Sequence, residues 1–240
     1  EKKQGLPNEG AVRTREEHRG ETRLNQSNHK YAAMVRSMDK NVGRVLEKLE
    51  ELELEENTII IFTSDNGGLT TTRNYGPTSV TPLRAGKGWC YEGGIRVPLI
   101  VKTPGMEGGK TYSYPVTNMD YYPTILDLAV LKKKEKQHVD GTSFAEYIEN
   151  PEKSYDRTLV WHYPHYHGST WRPGSAIRQN QWKLIEYYEE ETVELYNLKD
   201  DISEQHDVSD EYPEKAKTLR KKMHKYIDER GGKYPKKLEK

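Results

Sequence analysis

Residues 31–68 hold the pattern that most restricts the fold. Tyr31, Met34, Val35, Met38, Val42, Val45, Leu46, Leu49 and Leu52 recur at helical spacing, with Arg36, Lys40, Arg44 and Lys48 between them. This spacing predicts a long amphipathic helix with one buried face, capped by Ser27 or Asn28. After the link Glu55-Glu56-Asn57 comes Thr58-Ile59-Ile60-Ile61-Phe62-Thr63. A continuous β-branched run directly after a helix predicts a strand buried on both faces of a parallel sheet. The run stops at Ser64-Asp65-Asn66-Gly67-Gly68, a sharp turn signal at the end of the strand.

Later segments extend the same grammar and then change it. Residues 95–101 read as a second strand, with Pro98 placing it near an edge. A helix begins near Asp120, a candidate cap, and turns Tyr122, Ile125, Leu126 and Ala129 inward. Residues 132–157 read as a connector that opens on a solvated lysine-rich run and holds a short helix near Phe144–Ile148. Beyond it lie four short segments, 158–161, 175–178, 182–186 and 193–196, separated by turns, which predict a small antiparallel sheet. A polar helix over about 213–230 follows. Residues 1–28 carry few apolar side chains and read as a loop or insertion. The expectation is an α/β fold in two parts. Residues 1–150 would form part of a large mixed sheet flanked by helices, and 151–240 a small α+β subdomain with an antiparallel sheet and a terminal helix.

Composition narrows the function classes. Lys+Arg and Asp+Glu both total 38, so the formal net charge is zero and gives no reason to expect nucleic acid or an acidic membrane as partner. No segment approaches the roughly 20 apolar residues of a membrane helix. The single cysteine, Cys90, excludes an intramolecular disulfide and reads as a small packing residue. Against 2 Phe stand 17 Tyr and 4 Trp, side chains that suit half-wet clefts as well as cores.

Three constellations could carry chemistry. Asp65 and Asn66 sit where ligands bind an open α/β sheet, beyond a strand's carboxyl end, and offer one charged and one neutral oxygen donor. A hard cation such as calcium needs about six to eight oxygens, so the pair alone cannot complete a shell, and on these residues alone a plain turn is the favoured reading. Lys87 stands between Gly86 and Gly88, where the backbone can approach an anion and the ammonium supplies a point charge. The spacing is not that of a nucleotide-binding P-loop, and a solvated turn is the alternative. His162, His165 and His167 cluster with Tyr163 and Tyr166. No cysteine or acidic residue stands nearby to favour a transition metal, which leaves substrate contact by His162 and His165, or packing between subdomains, as equal readings. Trp171 and Arg172 could add to the same rim.

Taken in order, the segments Tyr31-Ala-Ala-Met-Val, Ser64-Asp65-Asn66-Gly67-Gly68, Leu83-Arg84-Ala85-Gly86-Lys87-Gly88, Tyr91-Glu92-Gly93-Gly94-Ile95-Arg96-Val97-Pro98 and Asp120-Tyr-Tyr-Pro-Thr resemble the type I sulfatases of the alkaline phosphatase superfamily. Trp161-His162-Tyr163-Pro164-His165-Tyr166 and Glu194-Leu195-Tyr196-Asn197-Leu198 are similar to the carboxy-terminal subdomain of arylsulfatase-like enzymes. The resemblance covers about 29–230 and reverses the odds on Asp65 and Asn66. It implies that these two are ligands of one Ca2+, that Lys87 contacts the sulfate, and that Arg96 and Glu92 hold their loop together. It implies hydrolysis of sulfate esters of carbohydrates or aryl alcohols by a formylglycine made from Cys or Ser in Cys/Ser-x-Pro-x-Arg. That motif is not in this sequence, so the resemblance is to the carboxy-terminal half, inactive by itself. Such a half exposes apolar sheet edges, and poor stability follows as an expectation. A phosphatase or phosphodiesterase of the same superfamily, or a non-catalytic module binding sulfated glycans, are the rival readings. The family implies a periplasmic or extracellular setting.

Overall fold

The computed structural model describes residues 12–134, 136, 140–150 and 152–236. In chain order the elements are β1 (Thr14–Glu17), β2 (Gly20–Arg23), α1 (His29–Glu51), β3 (Ile60–Thr63), β4 (Thr71–Thr72), α2 (Glu92–Ile95) and β5 (Leu99–Lys102). They continue with α3 (Tyr121–Leu128), α4 (Ala145–Glu149), β6 (Thr158–Tyr163), β7 (Gly174–Gln179), β8 (Trp182–Tyr187), β9 (Thr192–Asn197) and α5 (Pro213–Asp228). No helix among the described residues is long and apolar enough to cross a membrane.

Two units emerge. One combines the segment ending at Ser37 with Ser64–Val97 and everything from Thr158 onward, and the other combines Met38–Thr63 with Pro98–Arg157. The boundary expected at 150 therefore marks only the approach to β6. Residues 64–97 group with the last sheet, far away in sequence, and not with the strand that precedes them.

In the first unit β6 to β9 form an antiparallel meander in sequential order. The two-residue turn Asn180-Gln181 fixes the β7–β8 register, with Gln179 opposite Trp182 and Asn180 at φ 56°. Side chains alternate across this sheet with period two. Ile177, Leu184 and Leu195 face α5, which closes over them with Ala216, Leu219, Met223 and Ile227. Ala176, Ile185, Tyr187 and Tyr196 share the other core with Ala85, Trp89, Cys90 and Tyr91. The loop that carries Lys87 is thus packed on the sheet face opposite α5. Full burial of one such apolar side chain contributes about 1.5–3 kcal/mol, so the two cores dominate this unit's stability.

The stretch 14–23, expected as loop, is a β-hairpin. β1 pairs with β2, and β2 with β4, both antiparallel. Thr14-Arg-Glu-Glu and Gly20-Glu-Thr-Arg contain no apolar residue, so periodicity offered nothing to read.

In the second unit β3 pairs antiparallel with β5, Ile60 opposite Lys102 and Thr63 opposite Leu99. The expected parallel partner of β3 is not found among the described residues. An apolar run specifies burial and leaves strand direction open, and here the burial is partial along all of β3. Arg157 donates to both carboxylate oxygens of Asp120 at 2.7 and 2.6 Å, and Asp120 also accepts from the Thr117 and Thr142 amides. The start of α3 is pinned in this way to the chain just before β6.

The long helix forms as expected. Asn28 caps it, its Oδ1 accepting from the Tyr31 amide at 3.0 Å. Its apolar stripe is not covered: no residue of α1 is buried, and Met34 and Val45 are 68% and 61% exposed. The buried face read from the spacing is therefore an apolar face without a cover in this structure.

Candidate active site

Two loops meet backbone to backbone. The Gly67 amide donates to the Gly94 carbonyl and the Lys87 amide to the Gly68 carbonyl, each at 2.9 Å. A Cβ at Gly67 would lie 1.8 Å from the Gly93 carbonyl oxygen, so only glycine permits this approach. Lys87 is thereby tied to the residues directly after Asp65 and Asn66. Its side chain is exposed and, among the described residues, has no partner. Asp65 is also exposed with no side-chain partner among the described residues. Asn66 directs Nδ2 to the Gly67 carbonyl at 3.0 Å, which leaves its Oδ1 as an acceptor. Asp65 and Asn66 are the hard-oxygen donors that suit calcium, but they are two of the six to eight required. No group of three or more His, Cys, Asp or Glu side chains among the described residues could hold a metal by itself. The pair fits as part of a shell.

The Lys87 loop is anchored by a network of charges of which the sequence singled out only Glu92. Glu17, buried at the end of β1, accepts from Arg84 Nε and Nη2 at 3.0 and 2.7 Å. Arg84 Nη1 then reaches the Tyr196 hydroxyl and the Glu204 carbonyl at 2.9 and 2.8 Å. Beside it Lys183, fully buried on β8, lies 3.1 Å from Glu92 and 2.8 Å from Glu204. Glu204 also accepts from the Glu92 amide at 2.6 Å. Burial pushes Glu204 up to about 7 against the opposing pull of Lys183. Burial also acts to raise Glu92, yet Lys183 and Arg178 outweigh it and hold that carboxyl below its usual range. Glu92 and Arg96, four residues apart, also meet at 3.4 Å, with Arg96 half exposed.

His18, at the turn of the first hairpin with φ 53°, enters the same region. Its Nδ1 lies 2.7 Å from Arg172 Nη2, and its ring lies against Trp89 and Tyr187. Burial, reinforced by Arg172, lowers its pKa to about 4, so the imidazole is neutral at pH 7. No Asn-Gly or Asp-Gly announces this turn, and only the lone His among charged residues could have drawn attention to it.

The histidines after β6 separate. His162 lies on the α5 side of the sheet, its Nδ1 2.7 Å from Ser175 Oγ and its Nε2 3.0 Å from the Lys233 carbonyl. Period-two alternation turns it away from the Lys87 loop and both ring nitrogens are engaged, which corrects its reading as a substrate contact. His165 is exposed beyond the strand end. His167 is the one set against the Lys87 turn: a Cβ on Gly88, at φ +84°, would lie 2.1 Å from its Nδ1. Ser169 ties the two segments, accepting from Trp89 Nε1 at 2.9 Å and donating its amide to His167 Nδ1 at 3.1 Å. Trp171 is core, not rim, at 0% exposure. Arg172 is paired with Glu190 and His18.

Comparison with known proteins then places the chain. A family model described as Sulfatase matches residues 4–131, more than half of its length. The chain belongs to the sulfatase family. A second model, N-sulphoglucosamine sulphohydrolase, C-terminal, matches residues 85–231 of this sulfatase chain. It is 39% identical over 202 residues to a sulfatase of Formosa agariphila, covering 76% of this chain and 36% of that protein. It is 29% identical over 214 residues to human arylsulfatase K, covering 86% and 37%. Among solved structures, Ps i-CgsB in complex with k-i-k-neocarrahexaose superposes with a TM-score of 0.69 at 35% identity, covering 84% of this chain and 43% of that one. A sulfated-sugar complex with D-glucosamine-2-N,6-O-disulfate superposes at 0.66 and 29% identity, covering 82% and 40%. The chain thus spans well under half the length of these relatives. The α/β, alkaline phosphatase-like class read from the sequence is the class of these neighbours.

Proposed function

We propose that this chain supplies the metal-contacting and sulfate-contacting loops of a sulfuric ester hydrolase acting on a sulfated carbohydrate or aryl sulfate. The observation that carries the reading is the backbone junction that ties Lys87 to the segment of Asp65 and Asn66. In this reading Lys87 places its ammonium on a sulfate oxygen, and Asp65 and Asn66 contribute oxygens to one calcium ion. A calcium ion held there would supply fixed positive charge that stabilises negative charge on the sulfate oxygens. The residues of this chain bind and orient, since the Cys/Ser-x-Pro-x-Arg motif of the family nucleophile is not among them. Glu17, Arg84, Glu92, Lys183 and Glu204 act through the loop and never on the ester. The complexes with neocarrahexaose and with glucosamine disulfate favour a sulfated glycan over an aryl sulfate. A periplasmic or extracellular setting belongs to the same reading, with cell fractionation as its check.

The test is binding, measured by calorimetry with N-acetylglucosamine 6-sulfate in the presence of calcium. Lys87→Ala should weaken it by about ten-fold or more, the scale of one charge-assisted hydrogen bond. Asp65→Asn should weaken calcium binding itself. Equal affinity of wild type and Lys87→Ala for the sulfated sugar would remove Lys87 from the site.

A further inference from the structure

We propose that His167 is a specificity-determining residue that donates its Nε2–H to an oxygen of the sulfated sugar, beside the sulfate contact of Lys87. This rests on the sulfate-site reading above and adds to it the group that recognises the sugar side of the ester.

Three observations carry it. First, the tautomer is fixed by the backbone. The Ser169 amide donates to His167 Nδ1 at 3.1 Å, and an amide N–H cannot act as acceptor. Ser169 Oγ sits 2.7 Å from the same nitrogen, where its hydroxyl can only donate. Nδ1 is therefore an acceptor and the proton of the neutral ring is on Nε2. Second, Nε2 has no partner among the described residues, although His167 is half-buried and its neighbours are otherwise closely bonded. The His167 amide donates to the Trp171 carbonyl at 3.2 Å, and its carbonyl accepts from the Thr170 amide at 3.0 Å, so the ring is carried on a closed turn. Third, the ring abuts Gly88, the residue directly after Lys87, with no room for even a methyl group between them. A donor locked in this way beside an ammonium complements a hydroxyl or ester oxygen close to a sulfate. A mobile imidazole would lose more rotational freedom on binding.

His162, in the same segment, shows the contrast: both of its ring nitrogens are engaged within the chain. His165 is exposed but carries no such backbone lock.

The experiment has two arms on the 240-residue chain. Nitrogen-15 spectra of His-labelled protein at pH 7.5 report the tautomer. A protonated Nε2 is expected for His167, assigned by its loss in His167→Gln, and a protonated Nδ1 would overturn the proposal. The second arm titrates N-acetylglucosamine 6-sulfate, N-acetylglucosamine and inorganic sulfate. His167→Asn, whose amide reaches only the place of Nδ1, should lose about ten-fold affinity for the sulfated sugar while inorganic sulfate binding is unchanged. His167→Gln, whose amide nitrogen reaches the place of Nε2, should restore most of it. If the sulfated sugar binds wild type and His167→Asn alike, the role of His167 falls and the Lys87 site stands. If the sulfated sugar does not bind wild type at all, the sulfate-site reading falls and this inference with it.

Discussion

Single residues set the electrostatics of the Lys87 loop. Glu204 is the most telling, because its carboxyl shares one buried ammonium with Glu92. One oxygen of Glu204 lies close to Lys183 without a well-directed hydrogen bond, which leaves the carboxylate incompletely compensated. Its folded pKa, about 7, stands above the ordinary 4.5. A raised carboxyl contributes stability that is complete below the unfolded value and is lost as pH rises through the folded one. Thermal stability should therefore fall between about pH 5 and 8 through this group, and Glu204→Gln should flatten that part of the profile. Glu92, shifted downward, acts in a more acidic window and should leave the difference between the two proteins intact. Parallel melting profiles for wild type and Glu204→Gln across pH 5–8 would refute the assignment. Of this trio only Glu92 was singled out in the sequence, as a residue holding its loop; Lys183 and Glu204 come from distant segments and read locally as ordinary surface charges.

Among the elements, legibility followed periodicity. α1 showed its helical spacing, α5 follows the polar helix expected over about 213–230, and β6 to β9 follow the four short segments between turns. The β1–β2 hairpin did not, because its side chains are polar on both faces and its purpose is the clamp at Glu17. The apolar run 95–101 predicts one strand, whereas Ile95 closes a helical turn begun at Glu92 and pairing begins only after Pro98. Glu17 is 2% exposed and Arg84 only 17%, so the pair between them is largely out of water. Removing one partner of such a pair leaves an uncompensated charge and costs about 3–5 kcal/mol. Glu17→Ala should lower the urea midpoint accordingly while leaving α1 and its helical circular dichroism in place. A shift below about 1 kcal/mol, the range of a surface pair, would show that the hairpin does not hold the loop.

For the whole molecule, the backbone junction between the Lys87 loop and the segment after Asp65 and Asn66 was not legible, because a spacing does not reveal which backbone another loop will meet. The apolar stripe of α1 is bare. Met34, Met38 and Val45 are each at least half exposed, with Val35 and Leu46 beside them. Contiguous apolar surface of this kind binds hydrophobic dyes and drives association. Replacing Met34, Met38 and Val45 by Gln should reduce dye fluorescence and light scattering by half or more with the helix retained, whereas no change in either would show the stripe to be covered in solution. Arg84 must find Glu17 across 67 positions, Lys183 must find Glu92 across 91, and Arg172 must find His18 across 154. Closures of this length are entropically expensive and slow. During synthesis the loop bearing Lys87 leaves the ribosome well before the sheet that seats it, so this site is among the last parts of the molecule to become native, and a chain released before β8 is complete would carry its residues without their arrangement.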